Sequence, residues 1–212
     1  MALETVAVVQ DLVITNPAAG DDIAAGDDHI RNMKAVEKML CWEEVGTYAA
    51  SAAASVSTYT QFGAFVSGYD YLLVVDAAYI SASAQDLNMR VTTAGGTPDT
   101  GANYTYTRLN VAVGTESVTT AAAQTTAPLC ANFSDLSTAR AAFEVMVWNP
   151  QGTTNPRHMR SKLIQMDSAD ASYFATGAYF YITTTAIDGI QIYPASGNFT
   201  GTVNLYRRFR AV

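Results

Sequence analysis

Histidine, cysteine and proline are scarce in this 212-residue chain, at two, two and six residues, and only 15% of its side chains are charged. Each shortage closes off a class of function. Cys41 and Cys130 are too few for a disulfide framework or a metal quartet, so both read as buried reduced thiols. A Ser-His-Asp triad or a metal centre needs histidine held by partners. His29 lies in the first turn of an expected helix, where it is solvated or pairs with an Asp, and His158 in the basic cluster Arg157-His158-Met159-Arg160, and neither reads as a catalytic or metal-binding histidine. The doublets Asp21-Asp22 and Asp27-Asp28 lack the alternating ligand spacing of a calcium loop. No enzymatic activity, bound metal or cofactor is therefore expected.

Long apolar runs are missing as well. None approaches the roughly 20 residues that a membrane helix needs, and Met1-Ala2-Leu3-Glu4 has no basic start of a secretory signal. Membrane insertion is not expected, and the chain reads as one that folds in a cytoplasm. The net charge of −7 is unevenly placed, because residues 1–45 hold nine acids and three bases. Without a net basic face there is no support for a nucleic-acid partner, whose phosphates would need one.

What the chain has in quantity is hydrophobic residues, at 49%, together with Ala, Thr and Ser. After Trp42 they follow a period of two, the mark of half-buried antiparallel strands. Leu87–Val91, Phe143–Val147 and Val203–Leu205 alternate cleanly. Ser55–Thr60, Tyr71–Val75, Tyr104–Val111, Ser161–Met166, Tyr179–Thr184 and Ile187–Tyr193 are further strand candidates. Gly95-Gly96, Asn149-Pro150 and Ser196-Gly197-Asn198 separate them as turns. Strands in this number and spacing predict an antiparallel β-sandwich over residues 42–212.

Two regions read as long loops, Ala112–Pro128 and Asn149–Arg157. Within the second, Gln151, Thr153, Thr154 and Asn155 are candidates for surface binding, since loops on a rigid sandwich carry such contacts. The basic runs Arg157–Lys162 and Arg207–Arg210 read as solvated strand faces. Their functional alternative is contact with an acidic surface, including the N-terminal segment of a neighbouring subunit. Among Tyr173, Phe174, Tyr179, Phe180, Tyr181 and Tyr193, about half should face the core by the period of two.

Residues 1–41 read differently. Thr5–Val9 and Leu12–Ile14 are short extended runs in need of a partner. Asp27 or Asp28 can cap a following helix of about thirteen residues, the only convincing one in the sequence. Ile30, Met33, Val36, Met39 and Leu40 fall on one narrow apolar stripe of that helix. A helix this short is marginal alone in water, so the stripe must be buried. A seam between copies of the chain, made by Ile30, Met33, Val36 and Leu40, is the expected burial.

The segment Asn16-Pro17, a small and acidic run, then Gly26-Asp27-Asp28-His29-Ile30-Arg31 and a short helix with Lys34, resembles the N-terminal segment of tail-fibre and related appendage proteins of tailed bacteriophages. The β region adds to the likeness. Tyr69-Asp70-Tyr71-Leu72-Leu73, Arg90 beside Gly95-Gly96, Tyr104, Trp148-Asn149-Pro150 and the closing Gly197-Asn198-Phe199-Thr200-Gly201-Thr202-Val203-Asn204-Leu205-Tyr206 resemble the jelly-roll C-terminal domain of such proteins. Where those proteins commonly stop soon after that Tyr, this chain continues through Arg207-Arg208-Phe209-Arg210. The resemblance implies a virion structural protein, assembled in the host bacterial cytoplasm and forming a homotrimer. In it, residues 1–41 would form an extended arm and helix for assembly, with Asn16, Pro17, Asp27, Asp28 and Arg31 docking on tail, adaptor or capsid proteins. The jelly-roll-like sandwich would face a host-surface glycan or protein. A capsid decoration protein that stabilises the phage head is the alternative.

Overall fold

The computed structural model describes residues 41–82, 85–112, 114–133, 135, 137, 141–166 and 172–210. Among these residues the chain is almost entirely antiparallel β. Its strands are β1 (Glu43–Ala53), β2 (Val56–Ser57), β3 (Tyr69–Ile80), β4 (Gln85–Thr93), β5 (Thr97–Pro98), β6 (Tyr104–Ala112), β7 (Thr115–Gln124), β8 (Ala127–Phe133), β9 (Ala141–Trp148), β10 (Arg157–Met166), β11 (Ser172–Tyr181), β12 (Gly189–Pro194) and β13 (Phe199–Phe209). One short helix, α1 (Thr58–Phe62), interrupts them.

The strands form two sheets, one ordered β1-β13-β3-β9-β10-β11-β6-β7 and the other β2-β12-β4-β5, with β8 also on β4. β5 pairs with the Thr92–Thr93 end of β4, and β8 pairs with its Gln85–Met89 end. Removing the insertions leaves β1-β13-β3-β9 facing β2-β12-β4-β8. The chain visits the two sheets in the order of an eight-stranded jelly roll, changing sheet at every step except from β4 to β8. The insertions then widen one sheet only: β9, β10 and β11 form a meander, and the β6–β7 hairpin adds to its far side.

Period two decides which side chains fill the space between the sheets. Leu73 and Val75 from β3, Val145 and Val147 from β9, Val203 and Leu205 from β13, and Leu87, Met89 and Val91 from β4 are almost completely buried. In the widened part the core turns aromatic, with Tyr104, Tyr106, Tyr179 and Tyr181 facing inward while Phe174 and Phe180 face out. A buried phenol needs a partner for its hydroxyl. Tyr179 finds one in the Pro128 carbonyl at 3.0 Å, beside the Ser161 hydroxyl at 2.9 Å. Its hydroxyl lies over Gly177, where an added Cβ would come within 2.3 Å of it. Tyr104 receives the Val91 backbone N–H at 3.0 Å.

Four expectations need correction, the first being Cys41, which is only half-buried whereas Cys130 is fully buried. Ser55–Thr60 is not a strand: after Val56–Ser57 the chain turns into α1, which ends at Gly63 with φ of 84°. The buried Thr58 hydroxyl accepts the Ile190 N–H at 2.8 Å, a job that requires the chain to leave the sheet there. Ala112–Pro128 is not a long loop, since Thr115–Gln124 is an edge strand paired to β6. It shows no apolar alternation because most of its side chains on both faces are exposed, so backbone pairing alone defines it. Arg157 is not solvated but 2% exposed. The expected helix at 27–40 and the extended runs before it lie outside the described residues.

Beyond Tyr206 the chain simply continues β13. Arg207 forms a two-pronged pair with Glu43 at 2.8 and 3.1 Å, and Phe209 meets the edge of Tyr69 at 5.8 Å between centroids.

Candidate functional site

One end of the widened sheet gathers the loops at 99–103, 149–156 and 182–188, because β6 and β10 begin there while β9 and β11 finish. Arg157, the first residue of β10, ties two of these loops together. Its Nε donates to the Pro150 carbonyl at 3.3 Å and its Nη2 to the Thr184 carbonyl at 3.2 Å, while Nη1 donates to the Asn155 carbonyl. Burial pulls the guanidinium pKa below its ordinary value, a cost offset by charge-assisted bonds to carbonyls. Gln151 joins the same clamp, donating from Nε2 to the Ile187 carbonyl at 2.8 Å, and the Ile187 N–H returns a bond to Pro150 at 2.9 Å. At the start of the 149–156 loop, Asp70 accepts the Asn149 N–H at 3.0 Å and binds Arg208 at 3.0 Å.

Asp99 organises the adjoining loop. Its carboxylate accepts from the Gly101 N–H at 2.7 Å, from Asn103 Nδ2 at 2.7 Å and from the Tyr181 hydroxyl. Burial by itself would raise this carboxyl's pKa, but the three donors together hold it below the ordinary value. The Asn103 carbonyl in turn receives the Ile182 N–H at 2.9 Å, so the 99–103 and 182–188 loops are fastened to each other.

On this pinned base stands an uncharged polar surface. Thr153, Thr154, Asn155 and Pro156 are exposed, as are Thr184 and Thr185 across the clamp. Beside them Phe180 is 40% exposed and meets the His158 ring edge-on, 4.9 Å between centroids at 72°. Hydroxyls, an amide and an aromatic face together suit a neutral ligand held by hydrogen bonds and stacking. No group of three His, Cys, Asp or Glu that could hold a metal occurs among the described residues.

Of the four loop candidates, the structure leaves Thr153, Thr154 and Asn155 at the surface and makes Gln151 a half-buried strut. Asn16, Pro17, Asp27, Asp28 and Arg31, and the stripe Ile30, Met33, Val36 and Leu40, lie outside the described residues. Arg157 and Asp99 carry no motif that would single them out. The alternation of β10 was the available signal for Arg157, since it shares a face with Met159 and Leu163. Comparison of the chain with family models, with curated proteins and with solved structures finds no match.

Proposed function

We propose that this chain is a non-enzymatic structural subunit of a tailed-bacteriophage virion, a tail fibre or fibre-like appendage that presents the 149–158 end of its jelly roll to a host-surface glycan. The phage assignment rests on the N-terminal and closing motifs. The observation that carries the binding role is the buried Arg157 clamp, which fixes two hydroxyl-bearing loops before any ligand arrives and so lowers the ordering cost of binding. Glycans present many hydroxyls and apolar ring faces, the chemistry that Thr153, Thr154, Asn155 and Phe180 complement.

The test is adsorption of phage carrying Thr153→Ala, Thr154→Ala and Asn155→Ala together. Adsorption should fall at least tenfold while the melting temperature stays within the small shift of exposed polar changes. Unchanged adsorption would remove these loops from host binding. Density for this domain on the head lattice instead of the tail would move the protein to the decoration class.

A further inference from the structure

The outward face of the widened sheet is not a plain polar surface. A groove of about 440 Å³ lies at its upper end between Trp42, Met146, Trp148, Arg160 and Arg208, and a second of about 280 Å³ lies lower down beside Val74, Ile164 and Phe174. Glu144 and Lys162 line both, so the two run into one diagonal channel. The channel has an apolar floor: Met146 is 6% exposed although its strand register points it outward, and at the lower end Ile164 is 61% exposed and Phe174 37%. The apolar surface left exposed is at the lower end, around Ile164 and Phe174, while charged side chains line much of the upper groove, a mixture that suits an amphipathic partner.

Chain geometry says what reaches it. Trp42 lines the upper groove, where the Arg208 guanidinium sits 5.0 Å from its ring centre, and β1 starts at the next residue. Whatever precedes Trp42 therefore begins at the mouth of the channel. From Arg208 the register leads through Asp70, Trp148 and His158 to Lys162, three strands across and four residues along. That is about 20 Å at the usual strand spacing and rise. A helix over residues 28–40 is also about 20 Å long, and its stripe of Ile30, Met33, Val36, Met39 and Leu40 is the apolar surface such a floor would take.

The charges agree with this placement. Arg160 and Lys162 share a single oxygen, Glu144 Oε1, at 3.6 and 3.7 Å, so the β10 side of the channel carries two bases to one acid, while Asp76 lines the β3 side of the lower groove. Asp27 and Asp28 stand at the far end of the sequence-predicted helix, the end that reaches Lys162. We infer that residues 27–40 bind in this channel of their own chain as an amphipathic helix, with the stripe on Met146 and Ile164 and the aspartates beside Lys162. The short tether at Trp42 gives the segment a high effective concentration there, which favours its own sheet over a neighbour's. The stripe expected to make a seam between copies is thereby assigned to the sandwich itself, independently of any virion role.

The test places cysteines at Asn32, beside the stripe, and at Lys162 in full-length protein carrying Cys41→Ser. Burial pushes the remaining Cys130 thiol up to about 12, so it stays unreactive at neutral pH. A short bismaleimide should join residues 32 and 162 within single chains, in a yield that does not change on tenfold dilution. Adding Met33→Asp and Val36→Asp should reduce the yield at least tenfold while strand circular dichroism is retained. No link above the single-cysteine controls would overturn the inference. Links that join two chains would return the stripe to a seam between copies, and a yield that survives the aspartate pair would show that the stripe does not hold the segment there.

Discussion

At the residue scale, Arg157 illustrates how one buried side chain can hold two loops in place. Its donors satisfy carbonyls of Pro150, Asn155 and Thr184 that lie on two different loops. Arg157→Ala should cost ~2 kcal/mol, because the Asn155 and Thr184 carbonyls lose a donor at about 1 kcal/mol each while the Pro150 carbonyl keeps the Ile187 N–H. Urea unfolding would show this as a lower midpoint, and amide exchange should accelerate across 149–156 and 182–188 ahead of the sheet. Asp99 predicts an acid limb. Because its folded pKa is below the ordinary 3.8, its contribution is complete above that value and disappears as pH falls through the folded pKa. Asp99→Asn should flatten the fall in melting temperature below about pH 4. The alkaline limb has the opposite sign: burial pushes Tyr179 and Tyr181 up to about 12. Stability from keeping them neutral is intact below 10.0 and lost as pH rises towards 12, so ultraviolet titration should find these phenols ionising only with unfolding.

At the scale of the element, β11 depends on having no side chain at Gly177. An alanine Cβ there would meet three atoms of Tyr179 between 2.3 and 2.7 Å, and that ring is walled in by Ser161 and Pro128. Gly177→Ala should therefore cost roughly 1–3 kcal/mol, the range for overfilling a packed core, read by chemical denaturation. The edge strand β7 makes the opposite case. Val118 is 66% exposed, so Val118→Thr should shift stability by less than about 0.5 kcal/mol. A strand of this kind owes its existence to backbone pairing with β6, which explains why its Thr- and Ala-rich sequence reads as a loop.

For the whole molecule, the jelly-roll order begins at Glu43, and β1 is held on β13 by eight registered residue pairs and the Arg207–Glu43 bridge. Deleting residues 1–41 should leave a domain that melts cooperatively, as followed by calorimetry. If residues 27–40 cover the outer channel, the same deletion should raise binding of a hydrophobic dye several-fold by uncovering Met146, Ile164 and Phe174. Failure of the shortened chain to fold would mean that the N-terminal segment belongs to the core.

Much of the strand content was legible because a half-buried strand must alternate: Phe143, Val145 and Val147, and Val203 and Leu205, declare their inward face without help from the rest of the chain. The turns at Gly95-Gly96 and Asn149-Pro150 were legible for the same local reason, since a turn is set by the conformations its own residues allow. Pairing partners are not local, so only the tertiary structure placed β1 beside β13, interleaved the two sheets and stacked β10, β11, β6 and β7 on one of them. The clamp belongs to that second category. An arginine among basic neighbours reads as solvated until the fold brings the carbonyls of Pro150 and Thr184 to it, at which point three hydrogen bonds compensate a burial that its own sequence neighbourhood gives no reason to expect.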